Sequence, residues 1–234
     1  MEIMKCPLCN CPVRIVRRED GSADHYETIT DFHNLPNPVP QDLSDYLQAM
    51  RKGKNTVAIV GSAWTSGPWA PWGEIEVWGM NKLHDVPWYE VDGVSRWFNI
   101  HDESTFTKEH WEWLKEDHSF PIYMCQKFDE IPNGIRYPLQ EIQHDLLGDF
   151  YRGKEKVEKL FSSTMCYQIA LALYEDEVDR IELFGLELLG ESEYAHQREA
   201  MAFWLGQANG MGIEVWMPEE CAILDEPLYA YEGR

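Results

Sequence analysis

Two groups of residues in this chain have the types and spacing that chemistry requires. The first is Cys6, Cys9 and Cys11, within CPLCNC. Cys6 and Cys9 have the C-x2-C spacing of half a tetrahedral zinc site, with Cys11, His25 and His33 as candidates for the remaining ligands. A second C-x2-C is absent, so zinc and a reduced hairpin without metal both stay open. The second group lies just after apolar runs. It comprises Gly61 and Ser62 in VAIVGSAWTSGPWAPW, Asn81 in EVWGMN, His101 and Asp102 in RWFNIHD, Ser162, Ser163 and Thr164 in FSST, and Gly185 to Glu187 in LFGLEL. Backbone N–H groups at Gly61 and Ser62, and hydroxyls at a helix start, are suited to hold a phosphate. Acidic strand ends at Asp102 and Glu187 allow a divalent metal without demanding one. Gly61-Ser62-Ala63 is not G-x-G-x-x-G, and no lysine follows as in a P-loop. Trp64, Trp69 and Trp72 are candidates for a lid or a stacking wall.

Elements must bring these positions together. Short apolar runs at 56–61, 75–81, 96–102, 120–125, 180–188 and 213–218 read as strands. Helical stretches fall between them, at 109–115, 161–174 and 193–209, the last closed by Gly210 as a C-cap. Apolar strands alternating with helices predict an α/β, Rossmann-like fold, with a mostly parallel sheet and helices on both faces. In such sheets ligands bind at the carboxyl ends of the strands, where the second group of residues falls. Residues 1–33 read as a Cys-rich knuckle and a zinc-ribbon-like hairpin, with Asp20-Gly21 as its turn. Residues 34–54 read as a Pro-rich linker ending in a short helix over 42–50, and 55–234 as the Rossmann-like domain.

Composition narrows the classes. The 234 residues are 44% apolar, which fits a globular chain with one substantial core. Net charge is −21, so general coating of nucleic acid is not expected. No run reaches the length of a membrane span, and the start lacks the parts of a signal peptide. A soluble, cytoplasmic protein is the expectation. Ten tryptophans leave room for a protein partner or a homo-oligomer contact.

VAIVGSAWTSGP, EVWGMN, FSSTMCYQIALALYEDEVDRIELFGLEL and EYAHQREAMAFWLGQANGMGIEVWMP follow one another in an order that resembles a Rossmann-like group. The group contains bacterial sialyltransferases and archaeal hydroxymethylpterin diphosphokinases. Uncharacterised tailed-phage proteins look most similar, which would place the chain in a host cytoplasm. The resemblance covers roughly residues 55–220. It implies that Gly61, Ser62, Asn81, Ser162, Ser163, Thr164 and Gly185 bind the nucleotide, and that His196 and Glu187 are catalytic. The chain departs from the pattern where the compact glycine loop is stretched to GSAWTSGPW, where Glu187 replaces an aspartate and where Thr164 replaces a glycine. The implied activity is a nucleotide-dependent transferase, glycosyltransferase-like or pyrophosphokinase-like, with Mg²⁺ accompanying the nucleotide in the second case. The ligand is a nucleotide or nucleotide-sugar. Two alternatives need less: a non-catalytic nucleotide-sequestering protein, or an interaction protein that docks through its Cys-rich head.

Overall fold

The computed structural model describes residues 3–5, 12–17, 23–28, 39–148, 160–186, 188, 193–219 and 221–224. Strands β1 (Ile3–Lys5), β2 (Pro12–Arg17) and β3 (Ala23–Thr28) form an antiparallel sheet in that order. In the β2–β3 pair, Ile15 lies opposite Tyr26 and Val16 opposite His25. Cys6, Cys9, Cys11 and His33 lie outside the described residues, as does the side chain of His25. Among the described residues no group of His, Cys, Asp and Glu is placed to hold a metal, and no helix is long and apolar enough to cross a membrane.

The main body is a seven-stranded sheet of β4 (Thr56–Val60), β5 (Glu76–Met80), β6 (Arg96–Asn99), β7 (Ile122–Met124), β8 (Gly134–Arg136), β9 (Arg180–Phe184) and β10 (Glu214–Trp216). Its order is β10-β9-β4-β5-β6-β7-β8, and every pairing is parallel. The α/β Rossmann-like expectation therefore holds. Its central strands are buried on both sides: every residue of β4 and β9 is buried, β4 as a continuous apolar or β-branched run and β9 with Arg180 and Glu182 among its apolar residues. β8 went unread because Gly-Ile-Arg is short, and Ile135 and Arg136 are exposed. The run at 180–188 is also shorter than its composition suggests. It stops at Phe184 because Gly185 turns with φ +65°.

Alternation along each strand divides the core. Val57, Ile59, Trp78 and Phe98 face one layer, with helices α4 (Thr164–Glu175) and α5 (Glu193–Gly210). Ala58, Val60, Val77 and Trp97 face the other, with α1 (Gln41–Arg51), α2 (Lys108–Leu114) and the tryptophan loop. After β8 comes a helical turn, α3 (Leu139–Ile142), which runs into a π-type turn. Nine of the twelve residues of α4 are buried, since it is sandwiched between the sheet and α5. Gly210 is inside α5 and does not cap it. The left-handed position is Gly212, at φ +84°.

Helix α1 packs on the large sheet. Leu47 is buried, and Arg51 donates through Nε and Nη2 to the fully buried Glu182 of β9. Arg180 grips the same carboxylate at 2.8 Å and reaches Glu214 with its Nη1 at 2.9 Å. A buried carboxylate persists only when its charge is matched in this way.

Candidate functional site

The chain starts the large sheet at β4, winds outward to β8, then returns to the other side of β4 with β9 and β10. The direction of winding reverses between β4 and β9. In open parallel sheets that reversal opens a crevice at the carboxyl ends. Gly61 leaves β4 there and Gly185 leaves β9. The two loops meet backbone to backbone. Gly61 donates its N–H to Phe184 O at 2.8 Å, Ala63 donates to Gly185 O at 3.1 Å, and Gly185 donates to the buried Ser66 hydroxyl at 2.8 Å. A Cβ on Gly61 would overlap the Gly185 carbonyl, and one on Gly185 would overlap the Gly61 carbonyl. This corrects the expectation for Gly61: its N–H is committed to the β9 strand end and is not offered to a ligand. Ser62, next along, is exposed.

The tryptophan loop is likewise folded down. Trp64, Trp69 and Trp72 are partly buried against the layer that holds Trp97. Trp64 meets Trp88 edge to face at 6.3 Å, and Trp72 meets Tyr89 the same way at 6.0 Å. Apolar rings in a 44% apolar chain gain more from this packing than from standing in water. The three rings are thereby packed into this layer of the core.

Asn81 and Thr164 are brought together. Asn81 ends β5 with φ +50° and donates its N–H to Phe98 O at 2.9 Å. That conformation, one that Asn tolerates better than most residues, turns it toward α4. Thr164, the first residue of α4, donates its hydroxyl to Asn81 Oδ1 at 3.2 Å. One turn further along, the fully buried Gln168 donates to the Trp78 and Gly79 carbonyls, each at 3.3 Å, and its Oε1 has no partner. These bonds fix the opening of α4 against the carboxyl end of β5. Ser163 occupies the N-cap position, yet its side chain makes no cap bond to the helix and lies 3.2 Å from Cys166 Sγ. Burial pushes the Cys166 thiol up, so it is a protonated thiol there. Ser162 is exposed at the same opening.

Other expected positions are placed differently. Asp102 caps a short 3-10 turn, accepting from Ser104 N and Oγ, and the hydroxyl bond first and the N–H bond next hold its carboxyl below the usual range. His196 belongs to α5, but its side chain is outside the described residues, as is the whole of Glu187. His84, His110 and Asn99 are polar residues that the sequence reading missed. They form a hydrogen-bonded line on the α2 side of β6. Desolvation, and then the neighbouring His84, depress the His110 pKa to about 4, so its ring is neutral at physiological pH. The available signal was Asn99 as a polar residue closing a strand directly after the apolar pair Trp97 and Phe98.

No protein-family model and no curated protein matches the chain. Among solved structures it is similar to the sialyltransferase CstII from Campylobacter jejuni, determined with the substrate analogue cytidine-5'-monophosphate. Identity is 13%, the match covers 71% of this chain and 80% of that one, and the TM-score is 0.41.

Proposed function

We propose that the protein is a nucleotide-dependent transferase, glycosyltransferase-like or pyrophosphokinase-like, whose ligand lies across Asn81, Ser62 and the opening of α4. The observation that carries this reading is the Thr164–Asn81 bond. It ties a helix N-terminus to a strand carboxyl end in the same sheet whose winding reverses at β4 and β9. A helix start with its N–H groups directed outward favours a phosphate. Ser162, Ser163 and Thr164 supply hydroxyls at that start, and Gly185 shapes the adjoining loop. In this reading His196 carries a proton at the transferred group, and Glu187 positions a hydroxyl or a Mg²⁺. Trp64, Trp69 and Trp72 form the side wall. The relationship to the hydroxymethylpterin diphosphokinases and the tailed-phage proteins, a cytoplasmic location, and zinc held by Cys6, Cys9, Cys11 and His25 are parts of the same proposal.

Ligand binding raises the stability of the state that binds, so thermal shifts test the reading directly. The panel is CMP-, UDP- and GDP-sugars and ATP, with and without Mg²⁺. At least one nucleotide is expected to raise Tm, and Thr164→Val is expected to weaken its affinity about five- to tenfold, as for loss of one hydrogen bond, read as the higher nucleotide concentration needed for the same shift. Stabilisation by none of them overturns the proposal. Stabilisation without turnover leaves a nucleotide-sequestering protein in its place. Zinc content of purified protein below half an equivalent would remove the metal at the Cys-rich head.

A further inference from the structure

His84, His110 and Asn99 form a line of hydrogen bonds into the aromatic core, and Asp85 lies at ion-pair distance from its outer end. The Asp85 side chain is 61% exposed and that of His84 only 8%. His110 and Asn99 are buried. Asp85 Oδ1 lies 3.1 Å from His84 Nδ1, His84 Nε2 lies 2.7 Å from His110 Nδ1, and His110 Nε2 lies 3.0 Å from Asn99 Oδ1. The two imidazole planes are 3° apart, and His84 stacks on Trp113 with centroids 4.1 Å apart. Asn99 Nδ2 is buried without a partner.

Each imidazole nitrogen either donates or accepts, so the line has a direction. When both rings are neutral and Asp85 is ionised, His84 places its hydrogen on Nδ1, toward the carboxylate. His84 Nε2 then accepts from His110 Nδ1–H. His110 Nε2 is left as an acceptor, and the amide nitrogen of Asn99 must turn to supply it. One added proton reverses this. The hydrogen between the rings passes from His110 Nδ1 to His84 Nε2, and the proton taken from solvent ends on His110 Nε2. His84 is then an imidazolium paired in charge with Asp85 and donating to His110, while His110 donates to Asn99 Oδ1. The placement of Asn99 Oδ1 toward His110 corresponds to this proton-loaded state. A second proton would set N–H against N–H across 2.7 Å, so the pair holds one.

We propose that this line is a proton-driven relay. Uptake of one proton by the His84–His110 pair turns the Asn99 amide end for end, and so exchanges a free acceptor for a free donor at the buried carboxyl end of β6. The relay operates whether or not a nucleotide binds. The charged groups that face the pair are Asp85 and Lys82 on its own turn, Glu116 and His118 after α2, and His101 after β6. Asp85 and Glu116 favour uptake, while burial, Lys82, His118 and His101 oppose it. The relay therefore loads below neutral pH.

Nuclear magnetic resonance of protein labelled with nitrogen-15 in histidine and asparagine tests this between pH 8 and pH 4. The expected result is that His110 changes from the Nδ1–H to the Nε2–H tautomer in the step that charges His84, with the Asn99 amide signals moving in that step. A His110 tautomer that stays constant through the step, or Asn99 signals indifferent to it, overturns the relay. Asp85→Asn, at an exposed site, is expected to move the step down by about half a pH unit or more. An unmoved step also overturns it. In His110→Gln, His84 still titrates but Asn99 no longer follows. If that variant does not fold, Asp85→Asn alone decides.

Discussion

Gly185 shows how narrowly one residue can be specified. Its φ of +65° is a region that L side chains rarely adopt, and its missing Cβ leaves space for the Gly61 carbonyl. Neither neighbour can yield, because both are backbone atoms of strand ends joined by the Gly61–Phe184 bond. Gly185→Ala is expected to lower the free energy of urea unfolding by about 2–4 kcal/mol, combining left-handed strain with the displaced loop. Gly206 is the contrast. It lies in α5, where an added Cβ would meet nothing within 4 Å and φ is not left-handed. Gly206→Ala is expected to stabilise by about 0.5–1 kcal/mol, through helix propensity alone. Equal effects from the two alanines would show that the Gly61–Gly185 contact is not tight.

Helix α1 makes the point for an element. Its amphipathic pattern was legible in the sequence, but its docking was not, because that rests on an ion pair formed across 131 positions. Arg51, 12% exposed, closes over a Glu182 carboxylate that is wholly buried. Removing the arginine leaves Arg180 as the main remaining countercharge, so Arg51→Ala is expected to cost about 3–5 kcal/mol. Hydrogen exchange should then speed up first in α1 if the loss is local. A cost below about 1 kcal/mol would mean that Glu182 is adequately held by Arg180 alone. The same division runs through the rest of the molecule. Six strands could be read because apolar runs bounded by glycine and charge mark them locally, and β8 lacked that mark. Asn81 and Thr164 could be placed on one sheet edge from strand order alone. The commitment of the Gly61 N–H to Phe184 could not, since it depends on which strand lies beside β4. Nor could the His84–His110 contact, which joins residues separated by an entire strand and a helical turn.

At the scale of the whole molecule, charge and burial set opposite responses to acid. The chain carries −21, so protonating surface carboxylates relieves self-repulsion as pH falls. Burial acts in the other direction through the histidines. Desolvation first lowers the pKa of His84 and that of His110, the latter from 6.5 to about 4. A group whose folded pKa is depressed contributes stability that is fully present above its unfolded pKa and is lost as pH falls toward the folded value. The window is therefore about pH 6.5 down to about pH 4, largely above the range in which most carboxylates titrate. Within it, each histidine that is neutral when folded and charged when unfolded removes about 1.4 kcal/mol per pH unit. Raised salt screens the surface repulsion but hardly touches the buried rings, and so separates the two effects. In high salt, unfolding free energy from urea titrations is expected to fall steadily below about pH 6.5, and to fall about half as steeply once the His84–His110 pair has taken up its one proton. His110→Gln should reduce the slope by about half. A profile flat between about pH 6.5 and about pH 4.5 in high salt would mean that these histidines are charged in the folded protein, and that the aromatic layer around Trp97 and Trp113 is open to water.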